Sequence, residues 1–337
     1  MCSSICGDRI RLKEFQVKTI ICTVTIATAI LAGSADAQSA PLYPSKPVSL
    51  VVGFPPGGGA DQVARIYANA LSKELATPVI VENRPGAGST IAASSVARAK
   101  ADGYTMYLGN ASVMGSDSVL YKVDYRPDDF IPVAQLTLSP LVLISNSRLG
   151  LNNVRQLIDR AKNQPGALNV ASSGNGIVTH MAAVEFMRLA GVKLLHIPFK
   201  GGAAAVQSVA AGDTDISFAT ASSARAVIES GKVTAIAVTS AHASPLMPYP
   251  PIADTVPNYE LTNWWGLFAP KDTPPNVVEI LFSASKKILA EDDVQQRLSA
   301  NFEQATPSAS QQEFAEFAHS EGEKALRLAR DSMATAN

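Results

Sequence analysis

The sequence predicts an α/β fold of two lobes, each a mainly parallel sheet flanked by helices. Three observations lead there. Short apolar runs alternate with amphipathic ones in two successive series, the pattern of strands crossed over by helices. A glycine-rich elbow joins strand to helix once in each series. The length, 337 residues, suits two cores better than one.

The first series opens on Val48 to Val52, a continuous apolar run suited to a strand buried on both faces. The first elbow follows: Phe54-Pro55-Pro56-Gly57-Gly58-Gly59-Ala60-Asp61. Val63, Ile66, Tyr67, Ala70 and Leu71 then recur at helical spacing. Pro78 opens a strand over Val79 to Val81, and Asn83 to Gly88 is turn material. A helix of small residues ends near Lys100, and Asp102-Gly103 turns the chain into a strand from Tyr104 to Leu108.

The second series begins near Pro140. Leu141 to Ile144 reads as a strand, Val154 to Lys162 as a helix, and Leu168 to Ala171 as the strand feeding the second elbow. That elbow is Ser172-Ser173-Gly174-Asn175-Gly176, running on to Thr179 and His180. Helix Met181 to Ala190, strand Lys193 to Ile197, helix Ala203 to Ala211 and strands Ile216 to Ala219 and Ala235 to Val238 come next. Ser244 to Pro257 is a proline-rich loop. In the aromatic strand Trp264 to Phe268, alternation places one tryptophan in the core and the other outside. Amphipathic helices finish the chain, the last from Gln311 to Met333.

The first 37 residues read as an export signal. Arg9, Arg11, Lys13 and Lys18 precede an apolar run from Thr19 to Leu31, and Ala35-Asp36-Ala37 is a small-x-small cleavage site. The run is shorter than the roughly 20 residues of a spanning helix. All three cysteines, Cys2, Cys6 and Cys22, lie in this segment, so a mature chain starting at Gln38 holds no disulfide and no thiolate. Its net charge, −2, gives no electrostatic case for nucleic acid.

Each elbow turns free backbone N–H groups and the positive end of a helix dipole toward whatever lies before it. Two of them, about 115 residues apart, suggest an anion clamp with one jaw per lobe. Gly59-Ala60 stands where a P-loop carries Lys-Ser/Thr, so nucleoside triphosphates are not expected. Gly174-x-Gly176 is half a dinucleotide fingerprint. No cofactor motif is present, and His180, His196, His242 and His319 lack metal-ligand spacing. Asp61 reads as a brace of the turn rather than an anion ligand, since its charge would repel one. Arg84 likewise reads as a turn brace.

The series Tyr43-Pro44-x-Lys46-Pro47, Phe54 to Asp61, Val81-Glu82-Asn83-Arg84-Pro85-Gly86-Ala87-Gly88, Asp102-Gly103-Tyr104-Thr105, Gly174-Asn175-Gly176-x3-His180, Phe199-Lys200-Gly201, Ala237-Val238-Thr239-Ser240 and Trp265-Gly266-Leu267-Phe268-Ala269-Pro270 resembles the Bug family of TctC-like receptors. These are the extracytoplasmic solute receptors of tripartite tricarboxylate transporters. The resemblance covers nearly all of the mature chain. It implies a type II-like periplasmic binding fold, with 38–140 and 263–337 in one lobe, 141–262 in the other, and two crossover strands near Pro140 and Asn263.

The implied ligand is a small organic carboxylate gripped by both elbows. The implied contacts are Phe54, Pro55, Gly57, Gly58, Gly59 and Asp61 on one jaw. Ser172, Ser173, Gly174, Asn175, Gly176, Thr179 and His180 form the other. Asn110, Ser112, Lys200 and Gly201 would line the cleft, and Thr220 its far wall. Relatives often carry an acidic or amide group near that last position, where this chain has Ala219-Thr220-Ala221-Ser222. A ligand amino group would find no counter-charge there. A monomer is expected, partnered by membrane permease subunits. Two other readings of the same cleft stay open: a ligand-presenting partner of a membrane kinase, and a secreted hydrolase or isomerase using Ser172 and His180.

Overall fold

A computed structural model describes residues 43–335. The export signal read over the first 37 residues, with its cleavage after Ala37, lies outside them. No described helix is long and apolar enough to cross a membrane.

In chain order the strands are β1 (Val48–Val52), β2 (Val79–Asn83), β3 (Thr105–Gly109), β4 (Phe130–Asn146), β5 (Asn169–Ser172), β6 (Leu195–Pro198), β7 (Ile216–Thr220), β8 (Val233–Val238), β9 (Thr262–Pro270) and β10 (Gln304–Ala305). The α-helices are α1 (Gly59–Glu74), α2 (Thr90–Ala97), α3 (Asp117–Leu120), α4 (Val154–Asn163), α5 (Val178–Ala190), α6 (Gly202–Ala211), α7 (Ala221–Glu229), α8 (Pro275–Leu289), α9 (Asp292–Ser299) and α10 (Gln311–Thr335). A π-helical turn over Ser112–Ser116 precedes α3.

Local chemistry explains the boundaries. In α4 the Asn153 side chain caps the Gln156 N–H, and Val154, Leu157, Ile158 and Ala161 fall on one buried stripe. Gly191 and Gly212, both with positive φ, close α5 and α6.

Each half of the sheet has a parallel block of three strands, completed by antiparallel ones. The first order is β2-β1-β3-β9-β4-β10, parallel through β2-β1-β3. The second is β6-β5-β7-β4-β8, parallel through β6-β5-β7. Strand β4 belongs to both. Phe130 to Pro140 pair with β9, and from Leu141 onward the same strand pairs with β7 and β8. Beside that change of partner, Thr262 at the start of β9 pairs with Pro140.

Alternation along β4 splits the second half's core. Leu141 and Leu143 join Leu157, Phe186, Phe218 and Tyr259 on one face, while Val142 and Ile144 join Val206 and Val238 on the other. In the first half, Trp264 and Phe268 pack against Phe314 of α10, with Trp264 edge-on to it at 5.9 Å. Where α10 crosses the π-turn, Gly115 and Gly322 meet backbone to backbone, and neither position has room for a Cβ.

Both tryptophans are buried, which corrects the reading of one inside and one outside. β9 is covered on both faces: α10 packs on Trp264, and Phe54 meets Trp265 edge-on at 5.6 Å.

Candidate functional site

Both elbows sit at the carboxyl ends of buried parallel strands, where open α/β sheets leave a crevice. In the first, the Asp61 carboxylate accepts the Gly57 N–H at 3.0 Å, Arg65 Nε at 2.9 Å and Asn83 Nδ2 at 2.9 Å. Burial opposes its ionisation, but bonds from Arg65, Gly57 and Asn83 outweigh that and hold the carboxyl below its usual range. Asp61 is therefore a brace, and it takes up the Gly57 N–H. Arg84 is one as well, donating to Glu82 at 2.6 Å and to Ser95 at 2.9 Å.

The second elbow spends most of its N–H groups on itself. Ser173 N–H donates to Thr179 Oγ1 at 3.0 Å, Gly174 N–H to Ser172 Oγ at 3.3 Å and Gly176 N–H to His180 Nδ1 at 3.2 Å. The pairing of Ser172 with His180 fails. Ser172 Oγ lies 2.6 Å from His196 Nε2 instead, and the His180 and His196 rings stack at 3.8 Å. Burial pushes His180 down to about 3, helped by the charge of His196, and pushes His196 down to about 4. Ser172 is fully buried and lies outside the wall of either cavity described below, so this Ser–His pair stiffens the elbow from behind.

A cavity of about 570 Å³, counted out to its mouth, lies between the elbows. Four helices begin at its wall: α1 at Gly58 and Gly59, α5 at Ile177 and Val178, α6 at Gly201 and Gly202, and α7 at Thr220. None of the four N-caps (Gly58, Ile177, Gly201 and Thr220) makes a side-chain capping bond. The first-turn N–H groups of a helix have no partner within it, so four positive helix ends face one space. Among the described residues, Lys200 is the only formally charged one in that wall. Thr220 donates its hydroxyl to Ser223 at 2.8 Å, and Ser223 also lines the cavity. Trp265 and Asn263 complete the wall.

The wall thus collects Phe54, Pro55, Gly58, Gly59, Ser173, Thr179, Lys200, Gly201 and Thr220 from the residues singled out in the sequence. Asn110, Ser112 and Gly176 line a second, adjoining cavity. Gly57, Asp61, Ser172, Gly174, Asn175 and His180 line neither; they hold the elbows in shape. Asn175 does so through its carbonyl, which accepts from the Tyr121 hydroxyl at 2.9 Å. Sequence reasoning missed Asn263, Trp265 and Ser223. Two signals were on offer: the position of Asn263 beside the strand crossover, and Trp265 at the head of the Trp265 to Pro270 motif. Among the described residues no three His, Cys, Asp or Glu side chains come together as a metal site would need.

Residues 63–332 match the model of a family described as the tripartite tricarboxylate transporter family receptor. The chain belongs to this family. The receptor is 35% identical over 302 residues to a UPF0065 protein from the tcbD-tcbE intergenic region of Pseudomonas sp. strain P51, covering 88% of each chain. Its fold superposes on the R. palustris protein Rpa4515, solved with adipate, with a TM-score of 0.81, 29% identity and coverage of 86% of this chain and 98% of that one. The periplasmic binding protein BugD matches with a TM-score of 0.75, 31% identity and coverage of 86% and 97%. The receptor therefore has the two-lobed α/β fold of periplasmic binding proteins.

Proposed function

We propose that the receptor captures a small organic carboxylate between its elbows in the periplasm and delivers it to the membrane permease of a tripartite tricarboxylate-type transporter. The observation that carries this is the convergence of four uncapped helix N-termini on one cavity whose sole charged wall residue is Lys200. Family membership and the adipate held by Rpa4515 support the same ligand class.

In this reading the described parts of 38–140 and 263–337 form one lobe and 141–262 the other. Closure is a twist about the adjacent crossings at Pro140 and Asn263. An anion bridging both lobes favours the closed form by its extra bonds there. Charge-assisted hydrogen bonds contribute about 1.5–3 kcal/mol each, so a few of them reach the roughly −8 kcal/mol of micromolar affinity.

Gly58→Pro tests the clamp. A Cβ at Gly58 would meet only the Pro55 carbonyl oxygen, at 3.9 Å, so the change fits while removing one N–H. Its unliganded melting temperature should stay near wild type, and the melting shift induced by carboxylates should largely disappear. An undiminished shift would refute the clamp. Gly174→Pro is a poor probe, because Gly174 has φ +144° and its N–H is already bonded to Ser172.

Among the described residues, no acidic side chain lines the cavity. Succinate should therefore bind at least about tenfold more tightly than aspartate, whose ammonium group would be desolvated unpaired. Titration calorimetry showing aspartate to be the tighter ligand would contradict this wall.

A further inference from the structure

All three carbonyls of Gly174-Asn175-Gly176 in the second elbow are engaged. That of Gly174 accepts from Ser172 Oγ at 3.1 Å, within the elbow. The other two accept from a distant stretch of chain: Gly176 from Ser116 Oγ at 3.0 Å, and Asn175 from the Tyr121 hydroxyl at 2.9 Å. Ser116 ends the π-helical turn and Tyr121 follows α3, 60 and 54 positions earlier than their acceptors. Apolar contact reinforces this grip. Leu120 fills the space that a side chain at Gly176 would take, its Cδ1 lying 2.6 Å from where a Cβ would stand. Val119 and Leu120 both pack against the core of Leu141, Phe186 and Tyr259.

The same short segment is rooted in the other half of the molecule. Val113 and Met114 of the π-turn belong to the core around Trp264 and Phe314. Gly115 abuts Gly322 of α10. Asp117 accepts from the Tyr125 hydroxyl at 2.7 Å, and the Tyr125 ring meets Phe130 of that core edge-on at 5.6 Å. The Tyr121 ring lies against Gly88, where a Cβ would stand 2.5 Å from its hydroxyl oxygen. The segment from Val113 to Tyr121 is therefore anchored in one core and reaches into the other. Its π-turn is of a kind that recurs at functional sites.

We propose that Ser116 and Tyr121 are positioning residues for the carboxylate site: their hydroxyls latch the second elbow from the opposite lobe, and the latch closes only when the lobes do. The inference rests on the two-lobed closure proposed above. Ser116 and Tyr121 line neither cavity, so they act through the elbow's backbone. The Gly176 carbonyl shares its rigid peptide plane with the N–H of Ile177, the N-cap of α5 at the cavity wall. Holding that carbonyl fixes the direction of the donor behind it. The two bonds join chain on either side of the crossings at Pro140 and Asn263, so a twist there parts them. A bound anion then leaves only after both have broken, which slows release without altering capture.

The experiment compares wild type with Ser116→Ala, Tyr121→Phe, the double variant and Ser118→Ala. Mono-, di- and tricarboxylates of two to eight carbons are titrated into wild type by calorimetry, and the tightest is carried into stopped-flow tryptophan fluorescence. Each single latch variant should release the acid about two- to tenfold faster, and the double variant faster still, with the association rate unchanged. Ser118→Ala removes a hydroxyl bond of 2.9 Å to the Gly115 carbonyl inside the same turn and should keep the wild-type release rate. Tyr121 is half-buried, so Tyr121→Phe does not hinge on the core, and its unliganded melting temperature should match wild type. Wild-type release rates in Tyr121→Phe and in the double variant overturn the latch and leave the carboxylate site standing. So does a crystal structure of the open receptor in which both bonds persist. A wild-type receptor that binds none of the acids overturns both readings.

Discussion

Gly59→Val is expected to weaken carboxylate binding by about a hundredfold, or about 2.7 kcal/mol, with little change in the melting temperature of the unliganded receptor. Gly59 opens α1, and a Cβ there would stand 2.9 Å from Ser222 Oγ and 3.2 Å from Thr220 Oγ1. Those atoms belong to the end of β7 and the start of α7, across the cavity from the elbow. The Gly59 backbone is helical and carries no positive φ, so the substitution adds no backbone strain. The extra methyl groups therefore matter only while the elbow and the β7 end are together. When the two are drawn apart, the valine has room. Overpacking of this kind costs about 1–3 kcal/mol, and under the proposed closure it falls on the closed form alone. Calorimetry paired with thermal melting distinguishes the outcomes. Wild-type affinity in a normally melting variant would show that the approach of Gly59 to Thr220 is no part of binding.

The second large effect is expected from Glu303→Gln. Glu303 is 2% exposed and accepts hydrogen bonds from Thr137 Oγ1 at 2.8 Å and Ser139 Oγ at 3.0 Å, both on β4. Burial pushes its pKa up to about 7, against the bonds from Thr137, Ser139 and Trp265. The native chain thus keeps a proton that the unfolded chain loses near pH 4.5. Stability is present in full below about 4.5 and falls as pH rises to about 7, where native Glu303 ionises too. Glutamine keeps an acceptor for both hydroxyls and cannot ionise. Relative to wild type, Glu303→Gln should gain about 2–3 kcal/mol more at pH 8 than at pH 5. Urea unfolding at the two pH values measures the difference. His180 and His196 lose stability in the opposite direction as pH drops below 6.5, but they do so in both proteins and cancel in the comparison. Equal gaps at pH 5 and pH 8 would mean that Glu303 is ionised in the fold throughout.

The strand–helix series was legible because strands buried on both faces leave continuous apolar runs, and because the elbows need glycine. Strand β4 was legible only from Leu141 onward. Its first half is broken in sequence by Pro132, Gln135, Thr137 and Ser139, which look like loop chemistry. In the fold β9 and β10 flank this half, and Glu303 satisfies the two hydroxyls. Helix α7 escaped notice because its buried stripe, Ala221, Ala224 and Val227, opens on two small alanines separated by serines. At the site, the glycines marked the right turns. The sequence offered Asp61 as a brace of the first turn, but no pattern reveals that Gly174 and Gly176 give their N–H groups to Ser172 and His180. The contribution of Asn263 and Trp265 comes from pairing between strands more than a hundred positions apart, which no local pattern records.

The double membership of β4 has a consequence for how the chain assembles as it emerges from its N-terminus. Tyr107 of β3 needs Phe268 of β9 beside it, about 160 positions later. The half that contains the N-terminal strands therefore stays open on one side until nearly four-fifths of the polypeptide is available. Every strand of the other half, from Leu141 to Val238, lies in one uninterrupted stretch and can pair without waiting. Loop closure over so long an interval is slow. The later-born segment is thus the one equipped to fold first, and the earlier-born strands complete their sheet around it.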